Sequence, residues 1–107
     1  FSNQAKALIL FENFLADGGD PLYLLSMIAF QLKNMLIVRE LMDKNDQYGQ
    51  ILKKTGMHPF FFKKNYEAAQ KYPLENLKRI FQKTADFEIA LKTGQAEPEN
   101  IFFKIFL

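Results

Sequence analysis

The sequence predicts an all-α protein, a compact antiparallel bundle of about five to six helices. Three observations carry that prediction. Glycine and proline fall at intervals along the chain, and the stretches between them show helical spacing of apolar residues. No run of alternating β-branched residues is present. No Asn-Gly pair marks a hairpin.

A first helix is expected over about residues 2–16. Asn3, Lys6, Asn13 and Asp17 line one side, and Leu8, Phe11 and Leu15 mark the other. Gly18 and Gly19 can end it in a left-handed cap. Asp20 then suits an N-cap and Pro21 the first helical position, which opens a long helix over about residues 21–42. That helix is apolar on most sides. Ser26, Lys33 and Glu40 form one narrow polar strip, and Gln31, Asn34 and Arg39 are the other interruptions. Such a helix belongs at the centre of a bundle.

After the polar stretch DKNDQYGQ (43–50), a short helix covers about residues 47–55 and stops at Gly56. Pro59 starts a fourth helix that runs to about residue 72. A fifth covers about residues 73–93, with Leu77, Ile80, Thr84, Phe87 and Leu91 on one face and Gly94 at its end. Pro98 opens a last helix, NIFFKIFL (100–107), which only Lys104 interrupts.

A chain of 107 residues is the size of one domain, so residues 1–107 are expected to share one core. Hydrophobic residues at 49% and charged residues at 24% place it among globular proteins. It holds no cysteine, which excludes disulfides, thiolate chemistry and cysteine zinc sites, and fits a reducing, cytoplasmic setting. No run of about 18 apolar residues is evident, so no membrane crossing is expected. The chain starts at Phe1 with no signal peptide and reads as a piece of a longer protein. A net charge of +2 does not by itself argue for nucleic acid.

Candidate chemistry is sparse. His58 is the one histidine and directly precedes Pro59, which makes it a capping or surface residue rather than a metal ligand or general base. Asp86 and Glu88 diverge by about 200° on a helix and cannot pair as acid and base. Glu88 and Lys92 stand four apart in the order that favours an ion pair. There is no phosphate-binding loop. No catalytic residue, cofactor or metal is expected.

Residues 47–72 have the outline of a helix-turn-helix, with Gly56 in the turn. The first turn of the second helix would then meet base edges, yet it carries Pro59, Phe60, Phe61 and Phe62. Aromatics beside Lys63 and Lys64 could instead stack on a single strand. Helical geometry splits the three phenylalanines. Phe62, Tyr66 and Ala69 make one row, and Phe61, Ala68 and Tyr72 an adjacent one, so Phe61 and Phe62 read as core. Phe60 falls on the polar side with Lys63, Lys64 and Glu67. It either folds back over Ile51 or Leu52 or faces a partner.

DGGDPLYLLSMIAFQLKNML (17–36), GMHPFFFKKN (56–65) and FEIALKTG (87–94) occur in this order. Together they resemble the C-terminal (collar) domain of the bacterial DNA polymerase III delta subunit, of the clamp-loader family. Asp20, Pro21, His58, Pro59, Phe60, Lys64, Glu88, Lys92 and Gly94 carry the resemblance. Glu88 stands where an aspartate is usual, Asn65 where an aliphatic residue is usual, and Phe62 is larger than expected. The resemblance implies a helical collar with no catalysis of its own. It would pack beside gamma/tau-type and delta-prime-type subunits of the loader and meet DNA only indirectly, through the complex. Candidate interface residues are Phe60, Tyr23, Phe30, Phe103 and Phe106. The alternative is a nucleic-acid-binding domain that uses residues 47–72.

Overall fold

The structure, a computed structural model, describes residues 9–10 and 12–100. All regular structure among them is helical, which bears out the predicted all-α class. Residues 9–10 and 12–16 belong to α1. Then follow α2 (Pro21–Asp43), α3 (Tyr48–Thr55), α4 (Pro59–Gln70), α5 (Leu74–Lys92) and a 3-10 turn (Pro98–Asn100). The helix expected over 100–107 lies outside the described residues, apart from Asn100 in that turn.

The helix ends follow from side-chain and backbone chemistry at the predicted punctuation. α1 ends in a Schellman motif. Gly18 adopts φ +85°, its N–H donates to the Leu15 carbonyl, and the Gly19 N–H donates to the Phe14 carbonyl. A Cβ at Gly19 would collide with the Phe14 ring, so this position needs glycine for space. α2 ends in the same way at Asn45, at φ +66°, with the Asp46 N–H donating to the Leu41 carbonyl. Asparagine tolerates this left-handed conformation better than other residues with a Cβ. Gly56 and Gly94 close α3 and α5 at φ +67° and +75°. α3 opens with the Gln47 N–H donating to Gln50 Oε1 at 2.9 Å.

The chain divides into two compact units, Phe1–Ala29 with Gln82–Leu107, and Phe30–Phe81. Within the first, Leu25, Thr84 and Phe87 are buried. Within the second, Val38, Ile51, Phe62 and Ala69 form the core, with Leu41, Met42, Leu52, Met57 and Tyr66 packed around them. Tyr48 sets its ring edge-on to both Phe62 and Tyr66, each with centroids 4.8 Å apart.

Also in the second unit, α2 lies along α4. Phe30 meets Phe61, Gln31 meets Asn65 and Arg39 meets Ala69. Residue numbers rise together along both helices, so the two point the same way, as alternate members of an up-down-up bundle do.

Three expectations change. α4 stops at Gln70, and Tyr72 is exposed, so the row Phe61–Ala68–Tyr72 is only half buried. The fully buried row is Phe62, Asn65 and Ala69. α2 is not enclosed on all sides. Leu25, Met35 and Val38 are buried, but Tyr23, Met27, Phe30 and Ile37 are exposed. Finally, α2 is long and apolar enough to cross a bilayer by length and composition, with mean hydropathy 1.4. The scattered polar residues hid this, because a window average tolerates them. Its Gln31 and Arg39 nonetheless bond to α4, which is how a helix packed within a protein uses such groups.

Candidate interaction surface

The residues that make the chain distinctive as a sequence occupy helix ends. Asp20 caps α2, its Oδ1 accepting from the Leu22 N–H at 2.9 Å, with Pro21 in the first turn. His58 caps α4. Its Nδ1 accepts from the Phe60 N–H at 3.1 Å, and Pro59 follows as the first helical residue. An Nδ1 that accepts fixes the neutral ring as the Nε2–H tautomer. Glu88 and Lys92 pair at 3.6 Å in the last turns of α5, and the Ser26 hydroxyl donates to Glu88 Oε2 at 3.3 Å. Gly94 then takes the left-handed position. The Asp20 and His58 caps and the left-handed Gly94 set helix ends, whereas the Glu88 contacts lie within α2 and α5.

No reactive constellation forms among the described residues. They include no group of three or more His, Asp or Glu able to hold a metal. Asp86 accepts from Gln82 Nε2 at 2.9 Å, separate from Glu88. An open hollow beside Lys83, Asp86, Phe87, Ala90, Gln95 and Ala96 offers that one carboxylate and no partner acid.

The three phenylalanines of α4 part company. Phe62 is fully buried. Phe61 is half buried and stacks on Phe30, with centroids 6.4 Å apart and planes at 28°. Phe60 is 65% exposed, with the Lys64 ammonium 4.8 Å from its ring centre. A first turn of this kind offers no side-chain amide or guanidinium for base edges, and one of its three rings is inaccessible. Of the candidate interface residues, Tyr23, Phe30 and Phe60 are exposed. Phe103 and Phe106 lie outside the described residues.

A polar seam between α2 and α4 escaped sequence reasoning. Asn65 is fully buried. Its Oδ1 accepts from Gln31 Nε2 at 2.9 Å, and its Nδ2 donates to the Phe61 carbonyl at 3.0 Å. Arg39 Nη1 donates to the Ala69 carbonyl at 3.3 Å, and its Nε lies 3.2 Å from Asp43 Oδ1 as an ion pair. Asn34 Nδ2 is buried with no hydrogen-bond partner. The available signal was the set of polar residues that interrupt α2, together with Asn65 in place of an aliphatic residue.

The comparisons with known proteins agree with the sequence resemblance. Residues 2–107 match the family model for the DNA polymerase III delta subunit, C-terminal domain. The chain is similar to the DNA polymerase III subunit delta of Bacillus subtilis (strain 168), at 22% identity over 104 residues. That match covers 97% of this chain and 30% of the relative, so the chain spans under a third of that protein's length. No solved structure matches. The agreement of a match over nearly the whole chain with an all-helical structure leads to one conclusion: the chain belongs to the family formed by the C-terminal domains of DNA polymerase III delta subunits.

Proposed function

We propose that this domain is a non-catalytic oligomerisation module, the collar of a delta-type subunit in a sliding-clamp loader of bacterial DNA replication. The observation that carries the reading is the family match across residues 2–107. The structure supports it with exposed apolar side chains on helix faces, such as Tyr23, Phe30, Phe60 and Ile89, of the kind that protein–protein interfaces cover. Its partners in this reading are gamma/tau-type and delta-prime-type subunits. It works in the cytoplasm, needs no cofactor or metal, and meets DNA only through the assembled complex.

Removing this segment from the parent chain tests the reading. The truncated parent should fail to join the other loader subunits. If it assembles as well as the intact parent, the reading is wrong. Sequence-discriminating duplex binding by the segment at about 150 mM salt would instead favour the helix-turn-helix alternative, because nonspecific phosphate contacts fade steeply with salt.

A further inference from the structure

α2 is apolar on most of its surface, so apolar burial alone says little about which side it turns to α4. Opposite Asn65 it presents Gln31. Rolling α2 by one residue, about 100°, would put Phe30 or Leu32 there, and sliding it by about four residues would put Met35 there. Each of these side chains is apolar, and none donates an N–H.

Asn65 makes those alternatives unfavourable. It is fully buried in the row Phe62, Asn65 and Ala69. Its Nδ2 is committed to the Phe61 carbonyl of its own helix, and its Oδ1 depends on Gln31 Nε2 at 2.9 Å. Gln31 is exposed and can turn to water, so the loss on separation falls on Asn65. A buried acceptor left unpaired disfavours another packing by about tenfold or more. A slide by about three residues would offer the Asn34 amide instead. That slide would carry Arg39 away from the Ala69 carbonyl, to which its Nη1 donates at 3.3 Å. Anchors at positions 31 and 39 of α2 therefore limit both roll and slide.

We infer that the Gln31–Asn65 bond, supported by Arg39, is a register lock. It selects one seating of α2 on α4, and so decides that Phe30 and Ile37 are the α2 side chains left exposed in this unit. The buried amide contributes choice between packings rather than net stability.

The test labels the methionine methyl groups of the full parent chain with 13C. Methyl NMR then reads Met35 and Met42, which lie on α2 within the same unit. Wild type should give one sharp signal for each. Gln31→Leu removes the donor at an exposed position, and Asn65→Leu removes the acceptor. In either variant the population of other seatings should rise by about tenfold, seen as doubled or exchange-broadened Met35 and Met42 signals. Asn34→Leu makes a like change at an amide whose Nδ2 has no partner, and it should keep single signals. Single sharp signals in Gln31→Leu or Asn65→Leu would overturn the lock, as would doubling in wild type or in Asn34→Leu. Signals collapsed to the position of unfolded methionine in either partner variant would overturn it too, because the pair would then supply stability rather than register.

Discussion

Replacing Phe62 and Phe60 separately by alanine compares the same chemical change at buried and exposed positions. Phe62 is fully buried among Val38, Ile51 and Ala69. Its ring also contacts Tyr48 at 4.8 Å and Tyr66 at 5.7 Å, so truncation removes aromatic pairing as well as apolar burial. Phe→Ala changes in a packed core cost about 3–5 kcal/mol, and an aromatic pair adds about 1 kcal/mol that the same truncation partly counts already. We expect about 4 kcal/mol for Phe62→Ala, a large share of a typical domain stability of about 5–15 kcal/mol. Phe60→Ala removes an exposed ring and its Lys64 contact. Alanine is also the better helix former, so the loss should stay within about 0.5 kcal/mol. Urea unfolding of the two variants, with the denaturant slope checked for constancy, measures both. Similar losses for the two, or a loss under about 1 kcal/mol for Phe62→Ala, would refute the assignment of Phe62 to the core.

The polar features give two further expectations. His58→Ala removes the acceptor for the Phe60 N–H, so it should cost about 1 kcal/mol in thermal or urea unfolding. Asn34→Leu removes a buried amide donor that has no partner, so it should be neutral or stabilise by up to about 1 kcal/mol. A clear destabilisation would mean that the Asn34 amide is satisfied by water.

Helix ends were the most legible part of the sequence because each rests on one residue with a local job. Asp20, Pro21, His58, Pro59, Gly56 and Gly94 all act where the sequence places them. Asn45 escaped notice because glycine is the usual mark of a left-handed stop, although asparagine also suits it. Periodicity showed that α4 has a buried face but misjudged its centre. Asn65 lies there, and a polar residue reads as solvent-facing until its partner on another helix is known. That partner, Gln31, is 34 positions away, beyond any local pattern. The apolar character of α2 likewise gave no sign of which side is left uncovered. That depends on which elements pack against it, and Phe30 and Ile37 look no different in sequence from Leu25 and Val38.

The legible and hidden parts bear differently on function. Asp20, His58 and Gly94 act locally at helix ends, while the family is shown by the match over residues 2–107. Phe30 and Ile37 of α2, by contrast, are apolar side chains that only the structure shows to be left exposed.

Sedimentation velocity of the intact parent chain mixed with the other loader subunits decides whether this segment is an assembly module. One faster boundary that contains the parent is expected, and it should be lost when residues 1–107 are removed. A parent that sediments alone at concentrations where the other subunits associate, or one that joins them equally well without this segment, would contradict it.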